Sequence, residues 1–305
     1  MHRVTGSSYA IALSLALLIS GCTIATDDGP ATDTSSVSES TSLPMPRSSE
    51  PTSEPGVWST AAPVETLSVV DLAAEFGVLE AAAGGPIGVA LVPVGGGPPI
   101  VLGTWTSGVA WSTVKVPMAV AALRNGGDAV LADAAAAIER SDNAAADALW
   151  VSLGDSAAAG SAVEAVLRQG GDSVTTIQRE RVRPEFSAFG QTEWSTQNQA
   201  TFAAGLSCIP DAQPVVEMMN NVVPEQQWGL GQLSDAAFKG GWGPRVDGGY
   251  VVRQVGIVTT VAGRVGVAIA AQPDSGSFTD GTAMLDAVGG WLESRSDRLP
   301  AGHCL

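Results

Sequence analysis

The pattern of hydrophobic and polar positions predicts two groups of β-strands, one early and one late in the chain. Residues 86–94 (PIGVALVPV) and 100–105 (IVLGTW) are short apolar runs of strand length, and the glycines and prolines between them predict a hairpin turn. Three more strands are predicted much later in the chain, at residues 236–239, 250–260 and 264–271. A turn around Gly263 is predicted to join the last two. The pattern therefore predicts five strands.

Apolar residues at helical spacing occur at both ends of the folded part and between the two groups of strands. Residues 64–83 and 279–293 each predict one amphipathic helix. Residues 112–170 are rich in alanine and predict several helices, which are separated by polar or glycine-containing breaks at residues 124–128, 139–143 and 152–155. Residues 171–195 show no periodicity and are predicted to be a long loop. Helical spacing returns at residues 196–206 and 214–221.

This order of elements lacks the strand–helix alternation of a parallel βαβ fold. The predicted fold class is α/β in the α+β sense: a five-stranded, mostly antiparallel sheet flanked by N- and C-terminal helices, with an inserted all-helical lobe. We interpret residues 63–305 as this single domain and expect an active-site cleft between sheet and lobe.

The N-terminal region has the features of an export signal and a linker. In residues 1–22, Arg3 precedes an apolar run too short to span a bilayer, and the run ends in Ser-Gly-Cys22, which resembles a bacterial lipobox. We predict lipidation with palmitate at Cys22 and an extracytoplasmic position on the cell membrane, the alternative being an ordinary secretory signal. Residues 23–62, rich in Ser, Thr and Pro, are predicted to be a disordered tether.

Composition narrows the expected partners and cofactors. The formal net charge is −16, which disfavours phosphate contacts, so we predict no nucleic-acid binding. The chain has no CxxC pair, and we predict no metal site and no cofactor. Once Cys22 is assigned to lipid, Cys208 and Cys304 predict one disulfide in an exported protein, the alternative being two buried free thiols. We also expect a monomer.

The chain's only two lysines mark the candidate chemistry. Lys115 follows Ser112 by three residues at a predicted helix start, so both side chains share one helix face. A nucleophilic serine needs a base, and the two histidines, His2 and His303, lie in the signal and beside the C-terminus. A lysine whose charge is disfavoured by burial accepts a proton instead. The alternative is a chance S-x-x-K in a helix.

Two further motifs accompany this pair. Ser141-Asp142-Asn143 lies between two predicted helices, where a hydroxyl and a carboxamide can face the cleft; the alternative is a simple helix cap. Lys239-Gly240-Gly241 ends a predicted strand, and its glycines allow a ligand to approach the backbone; the alternative is a surface lysine before a turn.

In this order, STVK, SDN and KGG resemble the S-x-x-K, S-D-N and K-T-G motifs of class A serine β-lactamases and penicillin-binding DD-peptidases. The resemblance covers about residues 63–296. It implies that Ser112 is the acylated nucleophile, with Lys115 as its proton partner. It also implies that Ser141 passes a proton to the leaving nitrogen and that Asn143 binds the substrate amide.

The same resemblance implies how the substrate is bound. Lys239 would support Ser141 and attract a substrate carboxylate, and the backbone N–H groups of Ser112 and Trp242, next to Gly241, would form an oxyanion hole. Arg253 would be a second carboxylate anchor, the alternative being a solvated charge on a sheet edge. The ligand would be a peptidoglycan-like peptide or a β-lactam.

Two departures from the family pattern concern turnover and binding. Class A enzymes activate the deacylating water with a loop glutamate in an E-x-x-L-N motif, and the predicted loop has no such motif; Glu180, Glu185 and Glu193 are predicted to be exposed loop acids. Gly240 replaces the threonine of K-T-G and brings no hydroxyl. A general base contributes ~10²–10⁴-fold, so we expect an acyl-enzyme with poor β-lactam turnover. The alternative is a catalytically inactive binding lipoprotein.

Overall fold

The computed structural model describes residues 69–305, so the predictions for the signal, Cys22 and the tether lie outside the described residues. The helices of the described range are α1 (Val69–Ala82), α2 (Lys115–Gly126), α3 (Leu131–Glu139), α4 (Asn143–Ser152), α5 (Ser156–Gln169), α6 (Thr196–Leu206), α7 (Gln213–Asn220) and α8 (Phe278–Glu293). The strands are β1 (Ile87–Pro93), β2 (Ile100–Gly103), β3 (Ser107–Val109), β4 (Glu193–Ser195), β5 (Ala236–Pro244), β6 (Tyr250–Thr260) and β7 (Gly263–Ala271).

Five of the strands form one sheet in the order β2-β1-β7-β6-β5, and every pairing is antiparallel. The predicted fold class is therefore confirmed. The strands from the two ends of the chain meet where β1 pairs with β7, in register from Ile87 opposite Ala271 to Pro93 opposite Val265. This order leaves β5 at one edge of the sheet, beside the helical lobe.

The sheet carries helices on both faces. Helices α1 and α8 cover one face with an apolar core that includes Phe76, Leu285 and Trp291, and the Phe76 and Trp291 rings meet edge to face with centroids 5.2 Å apart. Helix α6 packs on β1 and β7 of the other face. Gly266 makes this approach possible, because a Cβ there would collide with the backbone of Ala200 and Ala204.

The helical lobe is inserted between β3 and β5. Its first helix, α2, is buried along its N-terminal two-thirds, and small alanines let α3, α4 and α5 pack close to it around Ile138, Leu149 and Leu167. The predicted breaks in this region coincide with the ends of α2, α3 and α4. No helix within residues 69–305 has both the length and the hydropathy needed to cross a bilayer.

Two strand boundaries differ from the prediction. Strand β5 continues past Lys239 to Pro244. The prediction ended it at Lys239 because Gly240, Gly241 and Gly243 weaken the strand signal, whereas in the structure these glycines make room for neighbouring residues. The predicted long loop contains the short strand β4, which pairs with β3, also not predicted, with Ser107 opposite Ser195 and Val109 opposite Glu193. A three-residue strand is too short to show a period of two.

The predicted disulfide is confirmed. Cys208, just after α6, is bonded to Cys304, with their Cα atoms 5.4 Å apart. The backbone of Gly302 also pairs with Arg264 of β7. The C-terminal tail is thus fastened both to the helix that covers the sheet and to the sheet itself.

We predict that the double variant Cys208→Ser/Cys304→Ser loses about 2–5 kcal/mol of unfolding free energy, because the bridge closes a loop that spans 96 positions. The melting temperature should fall by roughly 5–15 °C for a domain of this size, measured by circular dichroism. Reduced wild type is the matched control and should have the same melting temperature as the double variant. Equal melting of oxidised and reduced wild type would contradict the prediction.

Candidate active site

Ser112 lies in a 3-10 turn, Trp111–Val114, that leads directly into α2. Trp111 has a φ of 51°, which is unusual for a bulky residue and indicates a backbone strained just before the serine. In a 3-10 turn, residues three apart lie one above the other, so Ser112 and Lys115 share one face as the sequence predicts. The structure thus presents Ser112 at the start of a buried helix.

Strand β5 runs directly behind this turn. A Cβ on Gly241 would lie 2.9 Å from the backbone nitrogens of Ser112 and Thr113 and from the carbonyl oxygen of Ala110, so only glycine fits there. A Cβ on Gly243 would collide with the Trp111 indole. Gly241 therefore brings the β5 backbone into contact with the turn. The oxyanion hole of Ser112 and Trp242 stays a prediction that this close approach makes feasible.

Lys115 is 1% exposed and donates three hydrogen bonds. Its Nζ lies 2.8 Å from Ser141 O, 3.1 Å from Asp142 O and 2.8 Å from Asn143 Oδ1. Burial lowers the pKa of Lys115 to about 8, and the charges of Asp142 and Asp147 act in the opposite direction. Within the described residues, no hydrogen bond joins Ser112 Oγ to Lys115 Nζ.

The SDN segment divides its residues between two roles. Asp142 is the N-cap of α4, and its side chain accepts a hydrogen bond from Ala145 N at 2.8 Å. Ser141, with a left-handed φ of 59°, and Asn143 face the site instead. The helix-cap alternative thus applies to Asp142, and its two neighbours are free for the site.

Lys239 is 0% exposed in the middle of β5, so the alternative of a surface lysine before a turn is wrong. Its Nζ donates to Ser141 Oγ at 3.0 Å and to Gly240 O at 2.8 Å. Burial and the neighbouring charge of Lys115 hold the pKa of Lys239 well below its usual value. The two lysines therefore meet at Ser141, one at its carbonyl and the other at its hydroxyl.

Arg253 does not lie on a sheet edge and is not placed to anchor a substrate, which corrects the sequence prediction. It is 0% exposed on β6, between β5 and β7. Its guanidinium donates to the carbonyl oxygens of Gly108, Val109 and Trp194 and, at 2.8 Å, to Gln199 Oε1. These four oxygen atoms bind the Arg253 guanidinium inside the protein.

Arg253 nevertheless supports the site from behind. Gln199 Nε2 donates to Thr113 Oγ1 at 2.7 Å, and Thr113 Oγ1 donates to Ala110 O at 2.6 Å. A continuous chain of hydrogen bonds therefore runs from Arg253 through Gln199 to the residue after Ser112. This network supports the turn that carries Ser112, and within the described residues only Nε of the Arg253 guanidinium has no hydrogen-bond partner.

The predicted residues surround a cavity of about 400 Å³. Ser112, Lys115, Ser141, Asn143 and Trp242 line it, whereas Lys239 and Gly241 lie behind its wall. The loop 171–195 contributes part of the lining but leaves the cavity open.

Four ionisable side chains that line the cavity were not predicted as site residues: Asp147, Arg181, Glu185 and Tyr250. Asp147 had a usable signal, because it follows Asn143 by four residues and therefore lies on the same face of α4. Arg181 and Glu185 come from the aperiodic loop, where no pattern indicates which side chains face inward. Glu185, one of the predicted exposed acids, is exposed and pairs with Arg183 at 3.4 Å.

Solved structures similar in shape to this chain include class A β-lactamases. One is a mutant of the class A β-lactamase of the last common ancestor of Gram-negative bacteria, with a TM-score of 0.58 and 20% identity, covering 73% of this chain and 98% of that chain. Another is the ancestral class A β-lactamase itself, with a TM-score of 0.56 and 21% identity, covering 72% of this chain and 97% of that chain. A third is the class A β-lactamase from Mycobacterium abscessus, with a TM-score of 0.54 and 17% identity, covering 71% of this chain and 97% of that chain.

These matches show that the chain has the class A β-lactamase fold, and at this identity they show the fold alone. The sequence matches no protein-family model and no curated protein. The resemblance inferred from the three motifs is thus confirmed for the fold.

We predict that Asp147→Asn shifts the alkaline rise of Ser112 acylation to lower pH. The Asp147 charge raises the pKa of Lys115, so its removal lowers that pKa and increases the neutral, proton-accepting fraction at a given pH. At pH 7 acylation should be about two- to fivefold faster, the size expected for an exposed charge pair. The measurement is the acylation rate between pH 6 and 10.

Glu185→Gln is the matched control for Asp147→Asn. It removes a carboxylate from the same cavity lining, but Glu185 is not among the charges that shift the pKa of Lys115. Its pH profile should overlay that of wild type. A profile of Asp147→Asn that also overlays wild type would contradict the role assigned to Asp147.

Proposed function

We propose that this protein is a serine hydrolase of the β-lactamase and penicillin-binding type that forms an acyl-enzyme at Ser112. The observation that carries the proposal is the convergence of two buried lysines on Ser141, in a cavity that Ser112 also lines. Buried ionisable groups with lowered pKa values, clustered in a cleft around a hydroxyl, are typical of a catalytic site rather than a structural one.

The proposed first step is attack of Ser112 Oγ on the acyl carbon of an amide or ester. The serine proton passes to neutral Lys115 Nζ, and the new C–O bond forms as the carbonyl oxygen becomes an oxyanion. Backbone N–H groups of Ser112 and Trp242 would stabilise this charge. Lys115 must first lose one proton, because its ammonium donates all three hydrogens to oxygens.

The proposed second step breaks the bond to the leaving atom. The leaving atom takes the proton of Ser141 Oγ, which Lys239 Nζ contacts at 3.0 Å. Lys115 then returns its extra proton to Ser141 Oγ. Lys115 Nζ lies 2.8 Å from the backbone carbonyl oxygen of the same serine. The products are the acyl ester of Ser112 and the protonated leaving group, and water later releases the acid and regenerates the serine.

Slow hydrolysis of the acyl-enzyme follows from the loop 171–195. Glu185 lines the cavity but pairs with Arg183, and Glu193 accepts a hydrogen bond from Ser107 Oγ at 2.6 Å and does not line the cavity. Glu180 is exposed and does not line the cavity. Without a dedicated base the acyl-enzyme should persist, since such a base contributes ~10²–10⁴-fold.

The protein is proposed to act outside the cytoplasm as a lipoprotein attached through Cys22. The lipobox-like end of the apolar run supports this. The disulfide between Cys208 and Cys304 also supports it, because disulfides persist in oxidising compartments.

One observation favours a second candidate, a binding lipoprotein without catalysis on the same fold. The three donors of Lys115 are satisfied by backbone and amide oxygens, and within the described residues none of its hydrogen bonds reaches Ser112. If this ammonium stays protonated, the cavity binds acyl compounds but does not react with them. Site-directed variants separate the two candidates.

We predict that a fluorophosphonate or a fluorescent penicillin labels the wild type covalently and that Ser112→Ala abolishes labelling. Lys115→Met, similar in volume but without the amine, should slow labelling by at least ~10²-fold, because it removes the proton acceptor. Labelling is read by mass spectrometry of the intact protein, with circular dichroism to confirm folding. Thr113→Val, which leaves the nucleophile in place, tests whether disturbing the turn alone gives the same loss.

The outcomes separate the candidates. Ser112-dependent labelling that decays over hours supports the hydrolase with slow turnover. Folded wild type that takes neither label, while binding penicillin reversibly, supports the binding lipoprotein. Labelling that survives Ser112→Ala overturns the assignment of the nucleophile.

We predict that Cys22→Ser abolishes incorporation of radiolabelled palmitate and releases the protein from the membrane fraction. A single acyl chain gives marginal attachment and several chains give a stable one, so loss of the lipidated residue should be sufficient. Cys208→Ser is the matched cysteine control and should stay membrane-bound. Palmitate incorporation by the Cys22→Ser variant would contradict the proposal.

A further inference from the structure

Aromatic rings wall the part of the cavity that faces the leaving group. The ring centroid of Trp242 lies 6.0 Å from Lys239 Nζ, the atom that contacts the Ser141 hydroxyl. Trp242 and Tyr250 both line the cavity with Ser141. In the proposed function Ser141 gives its proton to the leaving atom, so these two rings border the group that departs.

Four rings form this wall, which we call the aromatic wall: Trp228, Trp242, Tyr250 and Phe278. The Trp242 and Phe278 centroids are 5.5 Å apart, and Phe278 lies 6.2 Å from Tyr250 and 6.2 Å from Trp228. Phe278 is 37% exposed at the start of α8. The wall is therefore continuous from the cavity to the surface, and such surfaces bind flat apolar groups.

The aromatic wall explains why Gly240 replaces a hydroxyl residue. A Cβ on Gly240 would lie 3.0 Å from two ring carbons of Trp228, whose indole meets that of Trp242 edge to face at 6.1 Å. A threonine here would have to displace the indole of Trp228. The position where the resemblance expects a hydroxyl for a substrate carboxylate thus packs against a tryptophan.

The cations near the aromatic wall are already engaged. Lys239 donates to Ser141 and Gly240, and its burial disfavours a charge. Arg253 is enclosed by its four acceptors, and Arg245 pairs with Asp247 at 2.7 Å. Tyr250 contributes a neutral hydroxyl, and burial raises the pKa of that hydroxyl and keeps it protonated.

Two cationic residues line the cavity itself: Lys115, which is buried and donates to three oxygens, and Arg181, which is exposed on the loop 171–195. Two carboxylates, Asp147 and Glu185, line the cavity with them. The cavity therefore offers a carboxylate no surplus of positive charge, and a carboxylate placed against the rings would be desolvated without a partner.

We infer that the aromatic wall favours substrates whose leaving group is flat, apolar and uncharged, so that this site prefers neutral esters or amides to compounds with a carboxylate next to the leaving atom. The inference rests on the proposed function, since the reaction is the same acylation of Ser112. For an aryl ester, the acyl C–O bond breaks, Ser112 takes the acyl group, and the phenol leaves with the proton from Ser141.

The test compares two aryl esters of N-acetylglycine that differ at one position of the leaving phenol. One carries a meta-carboxamide and the other a meta-carboxylate of nearly the same size. Each kcat/KM is divided by the rate of the ester's own hydrolysis by hydroxide, which corrects for leaving ability. We expect the carboxamide ester to be preferred by on the order of tenfold or more, equivalent to ~1.4 kcal/mol.

Variants of the aromatic wall show whether the rings cause the preference. Trp242→Ala should lower the ratio of kcat/KM for the carboxamide ester to that for the carboxylate ester roughly three- to tenfold, the range of aromatic pair energies. Trp242→Phe, which keeps a ring, should retain most of the preference and serves if the alanine variant does not fold. Arg181→Gln should leave the ratio as in wild type.

Each outcome decides the inference. A wild type that prefers the carboxylate ester overturns it, and a reversal of that preference in Arg181→Gln would identify Arg181 as the carboxylate anchor. A preference for the carboxamide ester that survives Trp242→Ala in folded protein also overturns it. Absence of Ser112-dependent release from both esters would instead reject the proposed function.

Discussion

The meeting of two buried lysines at Ser141 is the interaction on which the rest of the site depends. Lys115 from α2 and Lys239 from β5 approach this residue from different sides, at 2.8 Å and 3.0 Å. Neither amine is solvated, so each needs oxygen partners, and the short segment between α3 and α4 supplies them. The same contacts fasten the helical lobe to the edge of the sheet, and the burial of both amines at this junction lowers their pKa values.

A third buried cation, Arg253, supports the site without lining the cavity. Arg253 is oriented by four acceptors and reaches the nucleophile turn only through Gln199 and Thr113. A bidentate, planar guanidinium suits such a junction between β6, the β3–β4 ribbon and α6 better than a lysine would. The chain thus places its arginine in the supporting network and its two lysines where an amine can lose a proton.

The fold by itself does not identify the substrate. Solved class A β-lactamases share this architecture at about 20% identity, and a shared fold accommodates different chemistries in its sites. One departure from the resembled motif is Gly240, where an added Cβ would lie 3.0 Å from two ring carbons of Trp228. In the proposed function, exchange of a polar anchor for an aromatic surface would alter which leaving group is stabilised without altering Ser112, so substrate choice and acylation chemistry would be separable.

The sequence by itself determined the elements and the chemical groups. Helical and strand periods, alanine content and glycine breaks are local properties, so the order of elements, the antiparallel sheet and the inserted lobe could be predicted, and the cysteine count predicted the disulfide. The three motifs identified Ser112, Lys115, Ser141, Asn143 and Lys239, because residue spacing within a turn or helix fixes which side chains share a face.

Only the tertiary structure decided which groups face each other across the cavity. The burial of Arg253, the extension of β5 through its glycines, the position of Asp147 beside Lys115 and the aromatic wall all depend on contacts between residues far apart in the chain. Trp228, Trp242 and Phe278 come from three separate segments, and no local period relates them. Their packing is determined by how the sheet edge, the 3-10 segment before β5 and α8 meet, which is a property of the folded chain.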